Sequence, residues 1–153
     1  MIQLRNVDKD NFFKVIDLWN TLDDDQKKSV APNVMSIAQA YVNQDIAWLK
    51  AIYLEDEPIG FVMVALSDDE VKEEDQPVYF LWRFMIAKPF QGKGYGKEVL
   101  DILVNMCKEN KVKYLYVSCH MHSSMPFQFY MKYGFIDTHE MDDDEEILKY
   151  KIV

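Results

Sequence analysis

The sequence predicts a single-domain, mixed α/β protein in which helices flank a central mixed sheet. Three observations favour this fold class. The chain has 153 residues, 49% of them hydrophobic and 14% aromatic, which suffices for one packed core but not for two ordinary domains. Strand-like and helix-like patterns alternate along the chain. A strand-like run, a glycine-rich turn and an amphipathic segment follow one another between residues 78 and 110. We therefore treat residues 1–153 as one domain.

The N-terminal half is predicted to contain a short strand, two helices and a β-hairpin. The strand is indicated by the apolar residues Ile2, Leu4 and Val7. The first helix has an aromatic stripe that we assign to the core, formed by Phe12, Phe13, Ile16 and Trp19. Residues 21–29 are polar and acidic and predict a loop or a helix entry, and residues 36–42 predict the second helix. Residues 48–54 and 59–66 are rich in β-forming side chains and predict the hairpin.

The C-terminal half is predicted to alternate strands and helices after an exposed, acidic connection at residues 67–76. The strands are residues 78–86, 114–118, 135–139 and 147–153. The first helix presents one apolar face, formed by Val99, Leu100, Leu103, Met106 and Cys107. Asn110 or Lys111 ends this helix, and Gly134 ends a second, shorter one. The predicted order of elements is β-α-α-β-β-β-α-β-α-β-β, with a parallel strand–helix–strand unit in the middle.

Charge and cysteine content exclude several functional classes. The formal net charge is −9, which argues against nucleic acid as a partner and is compatible with a cationic substrate. Cys107 and Cys119 have neither metal-site nor redox-pair spacing, so we expect free thiols in a reducing cytosol. No apolar run approaches the ~18 residues of a membrane span, and the N-terminus lacks a signal-peptide core. We therefore expect a soluble, cytoplasmic protein that does not bind membranes.

The glycine-rich turn reads Gln91-Gly92-Lys93-Gly94-Tyr95-Gly96-Lys97 and leads directly into the predicted helix. Glycines allow close approach of the backbone to a ligand, and the first N–H groups of a helix attract phosphate. The turn is not a P-loop, because Glu98 stands where Ser or Thr would hold magnesium. It is not a dinucleotide fingerprint either, because Lys97 occupies the last glycine position. A different kind of phosphate site is therefore predicted.

This turn resembles the acetyl-CoA loop of the GNAT superfamily of N-acetyltransferases, Q/R-x-x-G-x-G/A, at every fixed position. A second segment, residues 125–135, resembles the family pattern A-x-x-[LF]-Y-x-K-x-G-F. Its matching residues are Phe129, Tyr130, Lys132, Gly134 and Phe135. Pro126 replaces the usual alanine, and Ser123 stands where many relatives carry asparagine. Residues 29–33, 36–40 and 81–86 also resemble the corresponding regions of bacterial spermine/spermidine acetyltransferases.

The resemblance implies acetyl transfer from acetyl-CoA to an amine, with Tyr130 as the general acid that protonates the leaving thiolate. It implies a single GNAT-like domain in which the central strand diverges from its parallel neighbour to admit the cofactor. The implied cofactor-binding residues are Met85, Ile86, Gln91, Gly92, Lys93, Gly94, Tyr95, Gly96, Lys97 and Ser123. The first acceptor to consider is a polyamine, and a homodimer is expected because dimers are common in this superfamily.

Several assignments stay open at this stage. The acceptor amine must be deprotonated before it attacks, but residues 78–86 contain no carboxylate that could be the base. The remaining candidates for the base are Tyr53, Tyr79, Asp69 and His120. The spacing of the histidines gives no ligand set, so no metal is expected. The acceptor could instead be a protein N-terminus, a lysine side chain or an aminoglycoside, or the chain could be a non-catalytic CoA-binding module.

Overall fold

The computed structural model describes residues 1–120 and 124–153 and confirms the mixed α/β fold. Its strands are β1 (Ile2–Arg5), β2 (Ala47–Leu54), β3 (Glu57–Ala65), β4 (Val78–Ile86), β5 (Tyr114–Cys119), β6 (Ile136–Asp142) and β7 (Glu145–Lys151). Its α-helices are α1 (Phe12–Asp17), α2 (Asp24–Ser29), α3 (Asn33–Val42), α4 (Tyr95–Glu109) and α5 (Ser124–Tyr133). Among the helices of these described residues, none has the length and apolar character needed to cross a membrane.

The strands form one sheet in the order β1-β2-β3-β4-β5-β7-β6. β4 and β5 are parallel and are joined through α4, as predicted, whereas every other neighbouring pair is antiparallel. The predicted order of elements is confirmed with one addition, the short helix α2. A capping box starts α2, because the Asp23 carboxylate accepts from the Gln26 N–H while the Gln26 side chain accepts from the Asp23 N–H.

Each face of the sheet carries its own core. One core lies under α4 and α5 and includes Val99, Leu103, Val117, Tyr130 and Leu148. The other lies under α1 and α3 and includes Val15, Leu18, Phe61, Met63 and Met85. Both cores contain fully buried side chains of β3, whose residues from Pro58 to Ala65 are all buried. β3 therefore contributes side chains to both cores of the fold.

The core stripe predicted for the first helix is confirmed for Trp19, which packs partly buried against the core beneath α1 and α3, but it is wrong for Phe13. Phe13 is 75% exposed, whereas Val15 and Leu18 are the buried residues of this segment. α1 has only six residues and continues as a 3-10 turn at Leu18–Thr21, so its regular helical spacing is interrupted. The neighbouring strands then select Val15 and Leu18 for the core, because these two side chains point at the sheet.

β4 leaves its parallel neighbour halfway along its length, as the resemblance implied. The two strands are paired only from Val78–Tyr114 to Leu81–Val117. A register irregularity at Trp82 separates the pairing of Leu81 from that of Arg83, and the rest of β4 stays paired with β3 alone. The outward N–H and C=O groups of this second half therefore face a gap between β4 and β5.

Candidate active site

The glycine-rich loop lies where β4 ends and α4 begins. Gly92 and Gly94 have φ values of 74° and 88°, and a Cβ atom added at either would meet no described atom within 4 Å. Gly94 is the N-cap of α4, and its carbonyl accepts the hydrogen bond from the Glu98 N–H at 3.2 Å. The first N–H groups of a helix have no intrahelical acceptor, and the helix dipole adds positive potential. This geometry can accept a phosphate group.

Gly96 has a different role from the other two glycines of the loop. A Cβ atom here would lie 3.1 Å from the ring of Phe129 on α5. The glycine therefore lets α4 approach α5 closely. Phe129, the residue it contacts, directly precedes Tyr130 in the sequence. The loop and the proposed acid are positioned by the same packing.

Gln91 connects the loop to two other elements. Its Nε2 donates to the carbonyl of Ile86 at 2.8 Å, at the end of β4. Its Oε1 accepts from Nε2 of Gln26 on α2 at 2.7 Å. The side chain thus ties α2, β4 and the loop together, which gives this predicted cofactor residue a positioning role in the structure.

The lysines of the loop differ in their surroundings. Lys93 is exposed at the turn. Lys97 is paired with Asp101 one turn further along α4, with 3.1 Å between Nζ and Oδ2. Asp101 also accepts a hydrogen bond from the Tyr133 hydroxyl, which together with Lys97 lowers its pKa. The Lys97 side chain is therefore held along the helix surface.

The gap between β4 and β5 contains a cavity of about 360 Å³. The second half of β4 and the end of β5 form its floor. The end of α2 and the following residues 30–32 form one wall. Its lining residues include Lys27, Lys28, Pro32, Leu81, Trp82, Arg83, Phe84, Val117, Ser118, Cys119, His120, Pro126, Tyr130 and Glu145. The structure thus brings Tyr130 to the place where the two strands diverge.

Tyr130 is 7% exposed, and its ring packs against those of Phe129 and Phe135 at centroid distances of 5.3 and 5.2 Å. Burial raises the pKa of Tyr130 well above its usual range, and the nearby Cys119 thiol adds to this shift. The phenol is therefore protonated at neutral pH and available as a hydrogen-bond donor. Burial also raises the pKa of Cys119, to about 11, and the nearby carboxylates of Glu145, Asp137 and Glu146 add to this shift.

The structure places the remaining predicted cofactor residues as follows. Met85 and Ile86 lie in the half of β4 that faces the gap, and the Met85 side chain is buried on the side of α1 and α3. Tyr95 and Gly96 form the first turn of α4. Ser123 lies outside the described residues, so its predicted contact stays a prediction.

Of the four candidates for the base, His120 alone lines the cavity. Tyr53 belongs to the core under α1 and α3, where its hydroxyl accepts a hydrogen bond from Nδ2 of Asn11 at 3.1 Å. Tyr79 packs in the core beneath α4, and Asp69 is exposed in the connection between β3 and β4. His120 follows the last residue of β5, with 3.5 Å between its Nδ1 and Oδ2 of Asp144.

Sequence reasoning missed the charged residues of the cavity. Arg83 donates to the Trp82 carbonyl and to Gln39 on α3, and its Nε is buried without a hydrogen-bond partner among the described residues. An arginine within an apolar strand was a signal that could have identified it. Lys27, Lys28 and Glu145 had no such signal, because each lies in a stretch rich in charge.

One group of three potential metal-binding side chains is found in the described part of the chain. It consists of Asp137, His139 and Glu146, whose candidate atoms lie within 4.8 Å of one another. A hydrogen bond with Asp137 raises the pKa of Glu146, and burial adds to this shift. Glu146 points away from the cavity that Glu145 lines, because successive side chains of a strand alternate in direction.

Comparison with known proteins agrees with this geometry. The model of the acetyltransferase (GNAT) family matches residues 7–135. Over 101 residues the chain is 31% identical to a probable spermine N(1)-acetyltransferase of Bacillus subtilis subsp. natto strain BEST195, and the match covers 65% of this chain and 66% of that protein. The chain therefore spans slightly less than two thirds of the length of this relative.

Solved structures show the same fold at low sequence identity. An acetyltransferase from Thermus thermophilus has a TM-score of 0.81 at 15% identity, covering 99% of this chain and 97% of that one. The PaiA N-acetyltransferase of Thermoplasma acidophilum, in complex with coenzyme A, has a TM-score of 0.72 at 17% identity and covers 99% of both chains. The chain belongs to the acetyltransferase (GNAT) family, which confirms the resemblance found in its glycine loop.

Proposed function

We propose that this protein transfers the acetyl group of acetyl-CoA to a primary amine of a small cationic substrate, a polyamine such as spermine or spermidine. The observation that carries the proposal is the divergence of β4 from β5 at Leu81–Val117, with Tyr130 lining the cavity that opens there. Membership of the acetyltransferase family supports it. The chemistry is direct attack of the amine on the thioester carbonyl.

Acetyl-CoA fits the donor groups that the structure leaves available. The N–H groups of residues 92–97 would bind the pyrophosphate, as loop amides at a helix N-terminus do. The backbone of Met85 and Ile86, together with Ser123, would bind the pantetheine arm along the open edge of β4. Gln91 would act by holding the loop against β4 and α2.

Tyr130 would give its proton to the sulfur that leaves. With ordinary values near ~10 for tyrosine and ~8.5 for a thiol, full transfer is uphill by roughly 2 kcal/mol. Burial raises the pKa of Tyr130 further. The same surroundings also raise the pKa of the Cys119 thiol, and a CoA thiol entering them would shift in the same direction. Hydrogen bonding from the phenol to the developing thiolate is therefore the main stabilising effect.

A polyamine is favoured by two features. The relative with 31% identity is named as a probable spermine N(1)-acetyltransferase. The Glu145 carboxylate lines the cavity, and the net charge of −9 attracts cations from solution.

The cationic side chains of the cavity favour a second candidate. Lys27, Lys28 and Arg83 line it together with Glu145. Such a site suits an amine that also carries a carboxylate or phosphate group, because these cations bind anions directly. A protein amine, an aminoglycoside and a non-catalytic CoA-binding role are the remaining alternatives.

Two further predictions concern the state of the protein in the cell. We propose a homodimer, for which the exposed Ile136 and Met141 of the edge strand β6 are candidate contacts. Light scattering coupled to size-exclusion chromatography measures the dimer directly. We also propose a cytoplasmic location, with neither nucleic acid nor membrane as a partner.

The test is thiol release from acetyl-CoA with spermidine, spermine, a lysine peptide, an aminoglycoside and glutamate as acceptors. We expect spermidine or spermine to give the fastest turnover. Tyr130→Phe is expected to lower kcat about 100-fold while CoA binding is retained, because a general acid contributes on this scale. Tyr114→Phe is the matched control, since it removes a tyrosine hydroxyl from β5 outside the cavity.

Each outcome decides between the alternatives. Fast turnover with glutamate alone would support the anionic acceptor and exclude the polyamine. Full activity of Tyr130→Phe would exclude this residue as the acid. CoA binding without turnover of any acceptor would support the non-catalytic module.

A further inference from the structure

We propose that His120 is the general base of the reaction and that Asp144 is its positioning residue; this role rests on the acetyl transfer proposed above. The sequence left four candidates open, and the structure separates them by location. Tyr53 and Tyr79 pack in the two cores, and Asp69 lies in the connection between β3 and β4. His120 lines the same cavity as Tyr130.

Asp144 in the turn between β6 and β7 contacts the imidazole of His120. The carboxylate lies 3.5 Å from Nδ1, and the His120 side chain is 28% exposed. A carboxylate beside Nδ1 favours the tautomer that carries its proton on this nitrogen. The turn between β6 and β7 thus orients the imidazole at the end of β5.

A histidine suits this task because the acceptor arrives as an ammonium ion. An alkyl ammonium has a pKa near ~10, as lysine does, so a proton must be removed before the nitrogen can attack. Imidazole accepts protons near neutral pH. The imidazole of His120 would take this proton directly or through one water molecule.

His120 and Tyr130 together account for the two protons that the acceptor nitrogen loses. The acceptor nitrogen starts with three hydrogens and keeps one in the amide. The first proton leaves through His120 to solvent. As the carbon–nitrogen bond forms and the carbon–sulfur bond breaks, Tyr130 donates to sulfur and recovers a proton from the nitrogen. The products are the acetylated amine, CoA thiol and one released proton.

Charged groups surround His120 on several elements. Among the described residues, those that line the cavity with it or contact it include Lys27 and Lys28 on α2, Arg83 on β4, Asp144 in the β6–β7 turn and Glu145 on β7. This set combines two carboxylates with three cations. The Tyr130 phenol and the Cys119 thiol also line the cavity, and their raised pKa values keep both neutral at working pH.

The experiment compares His120→Gln with His139→Gln, a matched control. His139 lies on β6 and its side chain is 85% exposed outside the cavity. With spermidine near neutral pH, we expect His120→Gln to lose about 100-fold in kcat/KM, the scale of general base catalysis. The affinity for CoA is expected to be unchanged, and His139→Gln should behave as the unsubstituted protein.

A second acceptor separates chemistry from structure. Trifluoroethylamine is largely neutral at the assay pH, so it needs no base to remove the first proton. We expect the deficit of His120→Gln to shrink at least tenfold with this acceptor, relative to its deficit with ethylamine. The pH profile of kcat/KM for ethylamine should also shift to higher pH in the variant. Asp144→Asn should show a smaller deficit with the same acceptor dependence.

Equal deficits for the two acceptors, or activity equal to that of His139→Gln, would overturn the base role while leaving the proposed acetyl transfer intact. If the unsubstituted protein binds CoA but acetylates none of the amines, the proposed function itself fails and the base role fails with it.

Discussion

At the scale of single residues, the cavity combines opposite charges around one buried phenol. Glu145 is the one carboxylate among its described lining residues, whereas Lys27, Lys28 and Arg83 contribute cations. A polyamine needs a carboxylate partner for the ammonium groups that do not react, because charge-assisted hydrogen bonds fix both its position and its orientation. A substitution of Glu145 therefore tests between the two proposed acceptor classes.

Glu145→Gln is expected to raise KM for spermidine roughly fivefold, the scale of one partly exposed ion pair. The KM for acetyl-CoA should stay unchanged. Steady-state kinetics with each substrate varied in turn measure both values.

Glu140→Gln is the matched control, because Glu140 is an exposed carboxylate of the same hairpin outside the cavity. If both variants leave KM for spermidine unchanged, Glu145 does not bind the acceptor and the anionic class gains support.

At the scale of elements, α4 has a different capping structure at each end. It begins after its N-cap Gly94, which has a positive φ of 88°. It ends in a Schellman motif, in which the N–H of Lys111 bonds to the Lys108 carbonyl and the N–H of Val112 bonds to the Cys107 carbonyl. Lys111 occupies the left-handed position with φ of 58°, where glycine is the usual residue.

Lys111→Gly is therefore expected to raise the free energy of unfolding by about 0.5–1 kcal/mol, because glycine adopts this conformation without steric cost. Lys108→Gly, one turn earlier inside the helix, should lower it by about the same amount. Urea denaturation followed by circular dichroism measures both, and a loss of stability in Lys111→Gly would contradict the assignment.

At the scale of the whole molecule, Asp75 links the acidic connection between β3 and β4 to the strands β5 and β7. It accepts from the Tyr116 hydroxyl at 2.5 Å and from Lys149 Nζ at 2.8 Å, and its side chain is 7% exposed. Burial opposes the charge of Asp75, but the hydrogen bonds from Lys149 and Tyr116 outweigh it and lower its pKa below 3.8. The connection between β3 and β4 is thus held by β5 and β7.

Asp75→Asn is expected to lower the free energy of unfolding at neutral pH by about 2–3 kcal/mol, because Lys149 loses its buried partner. Since folding lowers the pKa of Asp75, its charge stabilises the folded state above the ordinary value and this contribution is lost as the pH falls through the folded-state pKa. The difference from the unsubstituted protein should therefore shrink in acid.

Urea denaturation at neutral pH and at about pH 3 tests both statements. Asp69→Asn, in the exposed part of the same connection, should change stability by less than about 0.5 kcal/mol. A difference between Asp75→Asn and the unsubstituted protein that does not depend on pH would contradict the assigned ionisation.

Local patterns in the chain determined most of the architecture. The order of strands and helices, the parallel unit around α4 and the glycine loop could all be read from periodicity, turn residues and one motif, because these depend on neighbours within a few residues. The motif around Tyr130 also identified the residue that the structure places in the gap between β4 and β5.

Two features were decided only by the tertiary structure, the core face of α1 and the set of residues around the cavity. Both depend on contacts between distant segments. The core face of α1 belongs to Val15 and Leu18 because the sheet selects them, although the aromatic residues carry the stronger local pattern. His120, Arg83 and Glu145 meet around one cavity although they come from the end of β5, from β4 and from β7. Sequence spacing does not encode such a meeting, because it is set by the order of the strands in the sheet and by the point where two of them separate.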